Sequence, residues 1–92
     1  MRSEIMFLQG TIIAGEFDSS TNEFSIQKVK DFDTESVLKK NQIDTIYHYL
    51  KSHQHEDDGQ IITLNDQMPL RLSQIEMNQL ILDVEKVLSM YH

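Results

Sequence analysis

The apolar residues of this chain follow two spacings, alternation along strands and a three-to-four-residue recurrence along helices. From Ile5 to Ala14 the chain is dense in β formers, with Ile5, Phe7 and Ile13 on one parity and Met6, Leu8, Ile12 and Ala14 on the other. Apolar residues on both parities predict a central strand covered on two sides, or a change of face at a bulge near Gly10. Asp18-Ser-Ser-Thr-Asn22 is a polar turn cluster. After it Phe24 and Ile26 alternate with Ser25 and Gln27, and Val29 breaks the parity. Residues 5–17 and 23–30 therefore read as a hairpin.

The stretch 31–40 has two readings. Asp33 can cap a helix beginning near Thr34, or Ser36 to Lys39 is a short strand and the helix starts at Asn41, with Asp44 on the positive end of its dipole. Beyond it Ile43, Ile46, Tyr47 and Leu50 share one helical face, and the helix ends around residues 53–55 before Asp57-Asp58-Gly59. Ile61, Ile62 and Leu64 form a short strand. Met68, Leu70 and Leu72 form a one-sided strand, which Pro69 assigns to a sheet edge. Ser73 and Glu76 make a capping box ahead of Met77, Leu80, Ile81, Val84, Val87, Leu88 and Tyr91, one continuous apolar face. The start Asn41-Gln42-Ile43-Asp44 echoes Ser73-Gln74-Ile75-Glu76, which shared capping chemistry explains better than a duplication. The expected fold is a single α+β domain over residues 1–92. It has an antiparallel sheet of about four strands with two helices on one face, in the order ββαββα. Its core gathers Phe7, Ile46, Leu50, Leu70, Leu80, Ile81, Val84 and Leu88.

Size and composition narrow this further. At 92 residues and 10.8 kDa, with no Cys, the chain has no disulfide or thiolate metal site to support its one small core. No apolar run is long enough to span a bilayer, and the first ten residues lack a secretory pattern, so a cytoplasmic protein is expected. The wording of the chain, rich in Gln, Asn, Ile and Lys, suits an AT-rich bacterial or phage reading frame.

Catalytic motifs are missing. No phosphate-cradling glycine pattern and no nucleophile elbow occurs, and with three Gly in all such a loop has little material. Ser, His and acidic residues exist, but no spacing positions them as a triad. His48, His53 and His55, followed by Glu56, Asp57 and Asp58, are of the right types for zinc, yet a closed site needs four ligands in fixed geometry. A solvated helix end is the better reading, with no metal and no cofactor expected. The chain is not expected to be an enzyme.

Charge carries more information. Eight Lys and Arg against fifteen Asp and Glu give a net charge of −7. That field disfavours direct contact with nucleic acid or an anionic membrane. Asp31, Asp33 and Glu35 are expected in one loop, and Glu56, Asp57, Asp58 and Asp66 around the second hairpin; these are seven of the fifteen acids. The expectation is a small interaction module whose carboxylates meet a basic partner protein, in the extreme as a phage-type inhibitor that mimics nucleic acid. The alternative is a homo-oligomeric structural or regulatory protein, a homodimer for instance, with Tyr49, Leu82 and Met90 as contacts because they fall off the main helical faces. For the last helix, Leu80→Ala or Leu88→Ala should cost roughly 2–5 kcal/mol of a total of about 5–10 kcal/mol. Thermal melts check this, and unchanged midpoints in both variants would show that the helix does not pack as read.

Overall fold

The computed structural model describes residues 5–54, 60–62 and 70–92. Four strands, β1 (Ile5–Gln9), β2 (Ile13–Asp18), β3 (Glu23–Val29) and β4 (Phe32–Lys39), form an antiparallel meander in sequence order. Helix α1 (Lys40–His53) follows, then the hairpin β5 (Gln60–Ile62) and β6 (Leu70–Leu72), then helix α2 (Gln74–Met90). The α+β class, the four-stranded antiparallel sheet and the two helices agree with the sequence reading. The order of strands and helices matches in outline, with one difference: four strands, all of the main sheet, precede α1, and β5 and β6 make a separate two-stranded sheet.

Three local features account for that difference. Gly10 is not a bulge inside one strand but the start of the turn between β1 and β2, where its N–H donates to the Ile13 carbonyl at 2.9 Å. Residues 32–39 are strand β4, and Asp33 caps no helix. They were ambiguous because Thr34 and Ser36, both half-buried, occupy inward positions that apolar residues usually hold. Helix α1 accordingly starts at Lys40 with Lys39 as its N-cap, whose N–H donates to the Gln42 side chain at 2.8 Å. Asn41 and Asp44 therefore lie inside the helix, and the echo with Ser73–Glu76 is not repeated in structure. The second capping box is real: the Glu76 N–H donates to Ser73 Oγ at 3.2 Å, and the Ser73 N–H to Glu76 Oε1 at 2.9 Å.

The inner face of the sheet carries Leu8, Ile13, Phe17, Phe24, Ile26, Val29 and Leu38 into one core with Ile43 and Leu50 of α1 and Met77, Leu80, Ile81, Val84 and Val87 of α2. Both helices thus cover the same face. Val29 returns to the inner face because the register of β3 shifts between Ile26 and Lys28, which turns both Gln27 and Lys28 outward. Gly15 permits close approach of β2 to β3, since a Cβ there would lie 2.0 Å from the Ser25 carbonyl oxygen. Of the expected core, Leu50, Leu80, Ile81 and Val84 are buried, while Ile46 and Leu88 are partly buried against the cluster. The Leu70 side chain lies outside the described set. Phe7 is a correction: it is 75% exposed. Its strand is an edge with apolar residues on both parities, and pairing with Glu16 places Phe7 on the outer face while Leu8 turns inward.

Asp83 stands in the middle of this core, on α2, with 2% exposure. Its Oδ2 accepts from the N–H groups of Ile12 (2.7 Å) and Ile13 (3.1 Å), and its Oδ1 from that of Thr11 (3.1 Å). Three orphan donors of the β1–β2 turn are thereby satisfied by one side chain. Gly10 is required for space: a Cβ there would meet Asp83 Cγ at 2.4 Å. At the far end of α2, Tyr91 packs edge-on against Phe17, with ring centroids 4.9 Å apart, and donates its hydroxyl to the Leu38 carbonyl at 2.6 Å. Burial pushes the Tyr91 phenol up to about 12.

Two predictions follow from these contacts. Asp83→Ala should destabilise the fold by about 3 kcal/mol or more, because each buried donor left unpaired costs about 1–3 kcal/mol. Asp83→Asn should cost less, since it keeps one acceptor oxygen, and Gly10→Ala should also destabilise by displacing the carboxyl group. Urea unfolding of the three variants checks this order. The Tyr91 phenol is held protonated in the folded state above its ordinary value near 10, so its contribution is complete below pH 10 and is lost as the pH rises towards about 12. Tyr91→Phe should be less stable at neutral pH by about 1 kcal/mol, yet show a shallower alkaline loss. Parallel stability curves for the two proteins would refute that role.

Candidate functional site: the open face of the sheet

The face of the main sheet turned away from the helices is built by the alternate residues of its strands. On β2, Ala14, Glu16 and Asp18 alternate with the inward Ile13, Gly15 and Phe17. On β4, Asp33, Glu35, Val37 and Lys39 are exposed. The pairing register arranges these residues in rows. One row reads Ile5, Asp18, Glu23, Lys39 across the four strands, the next Phe7, Glu16, Ser25, Val37, and a third Gln9, Ala14, Lys28, Asp33. Five carboxylates (Glu16, Asp18, Glu23, Asp33 and Glu35) therefore share this face with two lysines, Lys28 and Lys39. Phe7, Val37 at 49% exposure and Ile5 add exposed apolar surface among them.

The electrostatics are uneven along the face. Asp18 and Glu23 stand directly opposite each other, an arrangement of like charges that disfavours the pair. Lys39 flanks Glu23 from the other side. Asp18 Oδ1 accepts from the Ser20 hydroxyl at 2.6 Å and the Ser20 N–H at 2.9 Å. These bonds, the hydroxyl first, hold its carboxyl below the usual range. Asp18 therefore stays ionised in mildly acidic solution. The same turn is closed by Asn22, whose φ of 57° suits Asn. The Asn22 side chain exchanges two hydrogen bonds with the His92 backbone, at 2.9 and 3.0 Å.

The residues singled out from sequence distribute as follows. Asp31 lies in the β3–β4 turn, whereas Asp33 and Glu35 lie on the edge strand β4, so the three do not share one loop. Glu56, Asp57, Asp58, Asp66 and His55 lie outside the described residues. His48 and His53 sit on α1 against Tyr47 and Tyr49, with ring centroids 5.9 and 4.3 Å apart, and no three potential ligands converge on a metal position among the described residues. Tyr49 and Leu82 are exposed, on different helices, and Met90 is half-buried against the core. Lys30, next to this face, serves the fold instead. From a left-handed backbone position (φ 52°) its Nζ reaches Glu76 Oε2 at 2.9 Å and the Arg71 carbonyl at 3.3 Å, tying the sheet to α2 and β6. The Ser73 N–H, and after it Lys30, hold the Glu76 carboxyl below the usual range.

Sequence reasoning missed Glu16, Asp18 and Glu23 as members of one surface. Their signal was present in the alternation with Ile13, Gly15, Phe17 and Phe24, but it becomes a patch only once β2 and β3 are paired. No described helix is long and apolar enough to cross a membrane. No protein-family model, curated protein or solved structure matches the chain.

Proposed function

We propose that this chain is a protein-interaction module whose open sheet face docks a basic partner protein, with carboxylates standing where the phosphates of a nucleic acid would. The observation that supports this reading is the composition of that face: Glu16, Asp18, Glu23, Asp33 and Glu35 against Lys28 and Lys39, interspersed with exposed Phe7, Ile5 and Val37. A cationic side chain placed over Asp18 and Glu23 relieves their mutual repulsion, so binding removes a cost that the free protein carries. The apolar residues supply the non-electrostatic part of such an interface. Carboxylates on a rigid sheet hold their spacing without ordering a loop, which lowers the entropic cost of association. Long-range attraction from the net charge of −7 speeds encounter with a basic surface and suppresses acidic competitors.

The test is capture of a basic protein from cell extract at rising salt. Retention should fall steeply as the Debye length shrinks from about 10 Å at 0.1 M to about 3 Å at 1 M. The triple Glu16→Gln, Asp18→Asn, Glu23→Gln should weaken binding and flatten that salt dependence, and so should Asp31→Asn, Asp33→Asn, Glu35→Gln. Changing His48 and His53 to Gln should leave binding unchanged. Wild-type retention by both acidic triples would overturn the proposal.

A further inference from the structure

The two edges of the main sheet differ in chemistry. β4 carries Asp33, Glu35 and Lys39 along its length and is entered through Lys30 and Asp31. β1 carries no charged residue from Ile5 to Gln9, in a chain whose residues are 25% charged. Ile5, Met6 and Phe7 are all exposed on it, and among the described residues it pairs on one side only, with β2. An edge strand with free backbone groups is a template for another strand, and charged side chains are the common block. Among the described residues, one edge is blocked by charge and the other carries none.

We infer that β1 pairs antiparallel with β1 of a second copy of this chain, merging the two sheets into one across a two-fold axis. Electrostatics selects this pairing over its competitors. Two β4 edges brought together would set Asp33 and Glu35 of each copy about 5 Å apart, the spacing of adjacent strands, with like charges facing. A β1-to-β4 pairing leaves a free edge at each end and does not close. In the β1-to-β1 pairing the nearest outward carboxylates among the described residues, Glu16 and Asp18 of β2, are three strand spacings from their counterparts, about 14 Å. That exceeds the Debye length of about 8–10 Å at moderate salt, so the negative charge of each copy is largely screened at the junction. The pairing satisfies the open backbone edge and covers Ile5 and Phe7 on the outer face and Met6 on the inner one. A five-residue strand makes a small contact, which belongs with weak, concentration-dependent interfaces. This association goes beyond the basic-partner reading and does not depend on it: it takes up Ile5 and Phe7 at the edge but leaves the carboxylates and Val37 open.

Sedimentation of the full chain from about 1 µM to about 1 mM tests it. The sedimentation coefficient should rise from that of a monomer to that of a dimer, and added salt should leave the transition in place or favour the dimer. Ile5→Lys and Phe7→Lys, at exposed positions, should each move the midpoint to at least about tenfold higher concentration, a weakening of about 1.4 kcal/mol. Their circular dichroism should remain that of the wild type. Val37→Lys on the outer face and Leu82→Lys on α2 should leave the midpoint unchanged. The chain has no cysteine, so Ile5→Cys, Met6→Cys and Phe7→Cys, made singly, locate the axis: at least one should crosslink two copies on mild oxidation, and Val37→Cys should not. A monomer across the whole range would overturn the inference. So would a dimer indifferent to both β1 lysines, or one dissociated by Val37→Lys or Leu82→Lys.

Discussion

The carboxyl group of Asp83 joins the two halves of this protein. It is buried at the centre of α2 and takes up the N–H groups of Thr11, Ile12 and Ile13, which lie 70 to 72 residues away along the chain. Neither partner is self-sufficient. The turn has donors that its own hairpin leaves unpaired, and the carboxyl group would be costly to bury without them. The requirement then spreads outward. Gly10 must lack a side chain so that the carboxyl group fits, and α2 must lie across β2, which brings Leu80, Val84 and Val87 over the sheet. With no disulfide available to a chain this small, one fully satisfied polar contact gives the core a register that apolar packing alone specifies poorly.

A second set of ties sits at the sheet's turns. Lys30 binds Glu76 and Arg71 from the β3–β4 turn, and Asn22 binds His92 from the β2–β3 turn. The Lys30–Glu76 pair is partly exposed and contributes little energy alone, but it fixes where the end of the sheet meets the start of α2. Because the inner face is committed to the helices through all these contacts, every other residue of β2 and β4 turns outward. The acidic face is therefore a by-product of the same alternation that builds the core.

What the sequence made legible follows from how locally each feature is determined. The start of the last helix was readable to the residue, since Ser73 and Glu76 cap it and its apolar stripe repeats every turn; its end falls at Met90, with Tyr91 an extended C-cap. The polar turn at 18–22 and the end of α1 near His53 were equally local. The parity of β1 was not, because apolar residues occupy both of its faces and only pairing with β2 chooses between Phe7 and Leu8. Strand β4 was obscured by inward Thr34 and Ser36. The broken parity at Val29 was visible, and its cause is the register shift around Gln27. Asp83 gave a signal that was passed over: a carboxyl residue one turn from Leu80 and one turn from Val87, inside an otherwise apolar stripe. Such a residue asks for a partner, but nothing local indicates that the partner is the backbone of residues 11–13. Of the five carboxylates on the outer sheet face, Asp33 and Glu35 stand out in the sequence, while Glu16, Asp18 and Glu23 needed the strand register.

The Asp83 contact also changes what the tip of the first hairpin can report. Amides at a hairpin tip normally exchange with solvent early, since the turn frays before the strands do. Here three consecutive tip amides are shielded by a helix from the other end of the chain. The meander can form from neighbouring strands, whereas this closure must wait for a long loop to be drawn in. Protection of Thr11, Ile12 and Ile13 against hydrogen–deuterium exchange is therefore a clock for the docking of α2, separate from the formation of the sheet on which those residues sit.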